Sequence, residues 1–186
     1  DDVDIFFAAH VGTGIPLGEV ICGSNGFLST TKLDVTFSGK AAHAGAKPEE
    51  GRNALLAAAS AVLGLQSIPR HSGGASRVNV GVLQAGSGRN IIPQHAHLKV
   101  ETRGINTEVN EFILDSAKNV LNGAAAMYGV EVDYEIVGEA RTSDSSEELI
   151  EFMYENIGKV TGVHSIVKAS SFAAGSEDAT YMMARV

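Results

Sequence analysis

With 186 residues, 44% of them hydrophobic and 19% charged, the chain has the composition of a protein that folds around an apolar core. Its formal net charge is −8 and its 14 lysines and arginines are spread along the sequence, which excludes a nucleic-acid-binding surface. Because no apolar run approaches the roughly 20 residues of a membrane-spanning helix, and because the single cysteine, Cys22, suits a reducing compartment, the sequence predicts a soluble cytoplasmic protein.

The first predicted element is a buried strand over residues 5–9, a continuously apolar stretch that ends at His10 and precedes a glycine-rich turn. The last element, after Asp178, starts as an amphipathic helix and stops in mid-pattern. Because domains rarely start inside a strand and end inside a helix, we expect the chain to be a piece of a longer protein.

Between these ends, hydrophobic periodicity predicts four strands and two helices. The elements are a strand over 27–38, a helix over 51–66, a strand over 76–84, a strand around 95–100, a helix over 107–127 and a strand over 130–137. The stretches 39–48 and 85–90 are predicted to be a loop and a turn. The order β-α-β-β-α-β predicts an α/β (α+β) fold of the ferredoxin-like kind, a four-stranded antiparallel sheet with both helices on one face.

The same periodicity predicts which residues face the core. Val78, Val80 and Val82 are expected on one face of their strand, and Ala96, Leu98 and Val100 on one side of the next strand. The long helix is expected to bury the stripe Val109, Phe112, Ile113, Ala117, Val120, Leu121 and Ala124.

Residues beyond 138 are predicted to belong to a different layer, with a helix over 146–159 and a short strand over 164–168. The pattern therefore divides the chain into segments 1–25, 26–138 and 139–186. The central segment is the ferredoxin-like unit.

Two histidines occupy positions suited to a ligand or a catalytic residue. His10 follows an apolar strand and precedes a glycine turn, a rigid position for a ligand or catalytic group, although a hydrogen-bonded histidine in a turn is the commoner case. His43 lies in a loop of alanines and glycine that permits close backbone approach, and an ordinary surface histidine is an equal alternative.

Asn90 is a candidate donor to a substrate oxygen, although an asparagine in a glycine-rich stretch more often serves a turn. Arg103 could clamp a carboxylate, although an ion pair with Glu101 or another surface acid is the commoner role. The segment 175–178, Gly-Ser-Glu-Asp, could cap the last helix. His95 and His97 share the polar face of one strand, but no cysteine or acid with matching spacing accompanies them as a metal ligand.

Four stretches resemble, in the expected order, signatures of the M20 metallopeptidase and amidohydrolase family. The first is residues 32–55, which include Gly-Lys-Ala-Ala-His-Ala-Gly-Ala-Lys-Pro-Glu-Glu-Gly-Arg-Asn-Ala-Leu, and the others are 88–93, 101–104 and 175–180. The resemblance covers essentially the whole chain. It implies that segment 26–138 is a lid or dimerisation domain, and that 1–25 and 139–186 are fragments of an α/β catalytic domain.

The resemblance also implies an activity and a role for each candidate residue. Family members cleave an N-acyl or N-aroyl amino acid at its amide bond with two divalent ions, Zn²⁺ or Mn²⁺, that activate a bridging water. His10 matches a metal ligand, and His43 matches the lid histidine that stabilises the oxyanion across the dimer. Asn90 and Arg103 match substrate contacts, the arginine suited to the carboxylate of a glutamate product. Glu177 and Asp178 match a motif that supports the metal centre.

The partners implied are a second copy of the chain, bound through the lid, a further hydrolase subunit, and a p-aminobenzoyl-glutamate-like substrate. The family's other metal ligands and its Glu-Glu pair have no counterpart here, so we expect the polypeptide alone neither to hold the metals tightly nor to catalyse. The alternative function is a stand-alone ferredoxin-like module for dimerisation or small-molecule binding.

Overall fold

The computed structural model describes residues 3–23, 27–142, 145–168, 175–183 and 185. Two compact units are formed, one by Ser29–Glu139 and the other by the segments Asp1–Leu28 and Ala140–Val186. The strands are β1 (Glu19–Cys22), β2 (Ser29–Ser38), β3 (Ala42–His43), β4 (Ser76–Ala85), β5 (Ile91–Ile92), β6 (His95–Gly104), β7 (Glu131–Ala140) and β8 (Ser165–Lys168). The helices are α1 (Ala54–Gln66), α2 (Thr107–Tyr128), α3 (Glu147–Ile157) and α4 (Thr180–Met183).

The unit Ser29–Glu139 contains a four-stranded antiparallel sheet in the order β4-β6-β2-β7. Strands β2 and β6 are paired along their whole length, from Ser29 opposite Gly104 to Ser38 opposite His95. With α1 between β2 and β4, and α2 between β6 and β7, this is the ferredoxin-like arrangement. The predicted fold class is therefore confirmed.

The core of this unit lies between the sheet and the two helices. Its fully buried strand residues alternate along the chain and are Leu33, Val35, Phe37, Ala96, Leu98 and Val100. Alanines such as Ala57 and Ala61 let α1 approach the sheet closely. Burying a side chain as large as Phe37 contributes about 1.5–3 kcal/mol to folding, so this contiguous cluster holds the unit together.

Local capping sets the ends of the helices. The predicted helix over 51–66 begins later, at Ala54, because Pro48–Glu50 form a single 3₁₀ turn and the Asn53 side chain accepts the backbone N–H of Leu56. The end of α2 is set by Gly129, whose left-handed backbone (φ 61°) closes the last turn. Among the described residues, no helix is long and apolar enough to cross a bilayer.

Two predicted side-chain positions are wrong. Val82 does not share a face with Val80, because a bulge at Gly81 shifts the register so that Val80 lies opposite Val100 but Val82 lies opposite Lys99. Phe112 was expected in the buried stripe of α2, but it is 43% exposed and its ring packs instead against His71.

The predicted strand over residues 5–9 is also wrong. The described residues offer these backbone groups no neighbouring strand, and a strand persists only where its N–H and C=O groups are paired. Phe7 stacks on the ring of Phe152 of α3, with 6.2 Å between ring centroids. The strand of this unit that periodicity missed is β1, which pairs in parallel with β8.

Candidate functional site

The five predicted site residues fall in both units. His43, Asn90 and Arg103 belong to Ser29–Glu139, whereas His10 and Glu177 belong to the other unit. Each unit therefore holds its own group of candidate side chains.

The His43 ring is held by the backbone of its own turn. Its Nδ1 accepts the backbone N–H groups of both Gly45 and Ala46, each at 3.1 Å. An imidazole nitrogen that accepts hydrogen bonds carries no proton, so in the neutral ring the proton is on Nε2. His43 is exposed, which leaves Nε2–H as a donor for an incoming oxygen atom.

Asn90 lies beside His43 because two very short strands pair. Strand β3, which lies within the predicted loop 39–48, pairs with β5, and His43 is opposite Ile91. The backbone N–H of Ala44 also donates to the carbonyl oxygen of Asn90 at 2.9 Å. Both side chains are exposed, so the structure brings these two candidate substrate contacts to one edge of the unit.

Arg103 is not brought to the same place within one chain. It lies near the far end of β6, a strand of 10 residues that begins at His95, and such a strand is about 30 Å long. Its Nε donates to the Glu101 carboxylate at 2.9 Å, and both side chains are about one-third exposed (30% and 29%). The Arg103–Glu101 ion pair, one of the two roles that the sequence allowed for this arginine, is therefore present.

His10 and Glu177 are in contact. The His10 Nδ1 atom is 2.8 Å from the Glu177 Oε2 atom, and the histidine side chain is 71% exposed whereas the glutamate side chain is only 15% exposed. The sequence identified His10 and Glu177 as candidate site residues but did not predict that they are in contact. Only the fold places them together, since 167 positions separate them.

The backbone around Glu177 fixes its carboxylate. Oε1 accepts the Ala179 backbone N–H at 3.3 Å, and the fully buried Thr180 donates its hydroxyl to the Glu177 carbonyl oxygen at 2.6 Å. Hydrogen bonding with the Asp178 side chain, and then with His10 and the Ala179 backbone, lowers the pKa of Glu177 below its ordinary value. Glu177 is thus an ionised acceptor. Helix α4 begins only at Thr180, so Ser176 does not cap it.

Thr180 is the residue of this group that the sequence did not single out. Its hydroxyl oxygen accepts the backbone N–H of Arg141 at 3.1 Å, and so ties the Glu177 turn to the segment that follows β7. Its position directly after the Gly-Ser-Glu-Asp segment was the available signal, because a threonine hydroxyl often bonds to backbone three residues away.

The pair His10–Glu177 could supply one ligand, the His10 imidazole, to a divalent transition metal. His10 has its Nδ1 bound to a carboxylate and its Nε2 available, which is the usual arrangement of a metal-binding histidine. Within the part of the chain that the structure describes, no three histidine, cysteine, aspartate or glutamate side chains cluster as a metal site. His97 bonds with Thr36 across the sheet face, 3.1 Å between Nδ1 and Oγ1.

Residues 28–128 match the peptidase dimerisation domain of the M20 family. The chain belongs to this family. Over all 186 residues it is 54% identical to a p-aminobenzoyl-glutamate hydrolase component of Escherichia coli and 54% identical to indole-3-acetyl-aspartic acid hydrolase of Enterobacter agglomerans. It spans 43% of the length of each of these relatives. The family resemblance noted in the sequence motifs is therefore confirmed.

Solved structures agree with the M20 assignment. The chain superposes on the aminobenzoyl-glutamate utilization protein from Klebsiella pneumoniae with a TM-score of 0.90 and 54% identity, covering 95% of this chain and 45% of that one. The aminopeptidase PepT from Bacillus cereus shares the fold at 23% identity, with a TM-score of 0.62 over 90% of this chain and 43% of that one.

Proposed function

We propose that this M20 chain is part of a metal-dependent amidohydrolase that cleaves the amide bond between an aromatic acyl group and an acidic amino acid. The observation that carries the proposal is the pair of relatives at 54% identity over the whole chain, which are named for p-aminobenzoyl-glutamate and indole-3-acetyl-aspartic acid. Both are amides of an aromatic acid with a dicarboxylic amino acid, so the shared chemistry defines the substrate class.

In this proposal segment 26–138 is the lid and dimerisation domain, and segments 1–25 and 139–186 belong to the catalytic domain. His43 donates its Nε2–H to the oxyanion that forms at the scissile carbonyl, because its Nδ1 is already an acceptor. Asn90, beside it, contacts a substrate oxygen. Arg103, although ion-paired with Glu101, binds a substrate carboxylate.

The proposed metal chemistry is that of two divalent ions, Zn²⁺ or Mn²⁺, which supply an activated water when bound. His10 would hold one of them through Nε2, and Glu177 supports that ligand. Because the described residues form no cluster that could supply the remaining ligands, we expect the chain by itself to be inactive.

The proposed assembly is a homodimer formed through the outer face of α1, acting in the cytoplasm, and its further partner is a second type of hydrolase subunit. Helix α1 has no charged residue in its 13 positions, and its outward Leu63 is 74% exposed. An uncharged helical face of this kind is suited to pairing with a second copy, and the family is that of a peptidase dimerisation domain.

The substrate class is tested by incubating the intact natural protein that contains this chain with p-aminobenzoyl-glutamate, indole-3-acetyl-aspartate and, as a matched control, p-aminobenzoyl-lysine. We expect hydrolysis of the two acidic substrates, loss of activity after chelation, and recovery with Zn²⁺ or Mn²⁺. Failure to release the aromatic acid from either acidic substrate would contradict the proposal.

The role of His43 across the dimer is tested by mixing two inactive variants, His43→Ala and His10→Gln. In a mixed dimer, one site combines the intact His10 of one protomer with the intact His43 of the other. Activity should therefore return on mixing. If His43 acts within its own protomer, no mixed site is complete and the mixture stays inactive.

A further inference from the structure

The contact between His10 and Glu177 selects one tautomer of the histidine ring. A carboxylate only accepts hydrogen bonds, so the 2.8 Å contact requires that His10 Nδ1 carries the proton. In the neutral ring the lone pair is then on Nε2. His10 thus carries the opposite tautomer to His43, in which the backbone of the turn occupies Nδ1 as an acceptor.

Glu177 is the fixed member of this pair. Its side chain is largely buried, and its carboxylate and carbonyl oxygens are held by Ala179 and by the buried Thr180. His10, in contrast, lies in a segment without regular secondary structure and its ring is mostly exposed. The orientation of the ring is therefore set by Glu177.

We propose that Glu177 is a positioning residue that holds His10 in the Nδ1–H form and so presents Nε2 to a divalent metal ion. This inference rests on the proposed function, in which His10 is a metal ligand. A carboxylate behind a histidine ligand fixes the ring and raises the basicity of the coordinating nitrogen. Removing such a partner typically weakens metal binding by about 10- to 100-fold.

The first test measures the tautomer directly, without metal or substrate. The ¹⁵N chemical shifts of the imidazole nitrogens are recorded for the chelator-treated intact protein at a pH at which the ring is neutral, and His10 is assigned by its loss in His10→Gln. We expect a protonated Nδ1 in the wild type and a shift towards protonated Nε2 in Glu177→Gln. A wild-type ring with its proton on Nε2, or one that Glu177→Gln leaves unchanged, overturns the proposal.

The second test measures affinity for Co²⁺ and Zn²⁺ by competition with a chelator, together with the visible spectrum of the Co²⁺-loaded protein. Glu177→Gln should weaken binding about 10- to 100-fold and alter the Co²⁺ bands. Glu155→Gln, which removes an exposed carboxylate from α3, is the matched control and should change neither. Unchanged affinity in Glu177→Gln overturns the positioning role.

Different results would contradict the proposed function and the positioning role of Glu177. A wild-type protein that binds no metal and cleaves no acyl-amino acid overturns the proposed function and with it this role. A wild-type protein that binds metal and is active, with equal affinity in Glu177→Gln, overturns the positioning role alone. A thermal unfolding curve and the Glu177→Asp variant, which keeps the acceptor at a shorter reach, separate loss of the contact from loss of the fold.

Discussion

His43 illustrates how a few backbone contacts select the tautomer of a side chain. Two N–H groups of its own turn occupy Nδ1, so the donor nitrogen is the one that faces solvent. His71 makes a similar local bond, its Nδ1 accepting the Gly73 N–H at 3.0 Å, but it packs against Phe112. The two histidines therefore share a local geometry and differ in surroundings.

This pair gives a prediction at the residue scale. In the intact protein, His43→Ala should lower kcat by about 100- to 1000-fold with little change in KM, because a donor to the transition state is lost. His71→Ala should leave kcat within about twofold. Steady-state kinetics on p-aminobenzoyl-glutamate would measure both, and equal losses in the two variants would exclude the proposed role of His43.

Gly104, the last residue of β6, shows a steric requirement for glycine. A Cβ atom at this position would lie 2.3 Å from the backbone nitrogen of Asn110 and 2.8 Å from the carbonyl oxygen of Asn106, both backbone atoms that cannot move aside. At Gly123 in α2, in contrast, a Cβ atom meets nothing within 4 Å. The two glycines therefore respond to the same substitution in opposite ways.

We expect Gly104→Ala to lower the free energy of unfolding by about 1–3 kcal/mol through overpacking. Gly123→Ala should raise it by roughly 0.5–1 kcal/mol, since alanine favours the helix. Urea denaturation of both variants would measure the difference. A Gly104→Ala variant as stable as the wild type would show that α2 can shift away from β6 without cost.

At the scale of elements, α2 is attached to the sheet by a buried polar contact as well as by apolar packing. The Asn110 side chain accepts the hydroxyl of Thr102 in β6 and donates to the hydroxyl of Thr31 in β2, both at 2.9 Å. These bonds fix the position of the helix along the strands, because a buried amide without partners is costly.

The exposed face of α1 gives a prediction about assembly. If the proposed dimer forms through this face, Leu63→Lys should convert it into monomers, because the substitution places a charge in an uncharged surface. Asn119→Lys, on the exposed surface of α2, is the control and should leave the dimer intact. Analytical ultracentrifugation distinguishes these outcomes, and a Leu63→Lys protein that remains dimeric would place the dimer contact elsewhere.

At the scale of the whole molecule, the large buried apolar cluster among the described residues lies in one of the two units. Every residue of the buried cluster lies within Ser29–Glu139, whereas α3 in the other unit has no buried residue. Stability is therefore expected to differ between the units.

Hydrogen exchange followed by mass spectrometry should reveal this difference in the 186-residue chain. Amides of α1, α2, β2 and β6 should exchange slowly, at rates set by unfolding of the unit, whereas amides of α3 should exchange much faster. Residues 27–140 produced alone should keep the slow pattern. Comparable protection in α3 and α2 would contradict a stability gradient between the units.

Local sequence patterns were enough to specify the order of elements in the central unit and most of its core. Alternation in β2 and β6 and the spacing in α2 are local signals, because a strand or helix repeats its side-chain direction at a fixed period. The same periodicity failed at Val82, where a one-residue bulge reverses the faces, and at residues 5–9, where an apolar run has no neighbouring strand among the described residues.

The meeting of the candidate residues, in contrast, is a property of the tertiary structure. His43 and Asn90 come together through the pairing of β3 with β5, and His10 meets Glu177 across 167 positions of sequence. Arg103, on the same strand as His95, is kept apart from His43 by the length of β6. Such contacts depend on chain crossings and register that no local pattern encodes. The tautomer of His10 depends in turn on its contact with Glu177, whereas the tautomer of His43 is set within its own turn.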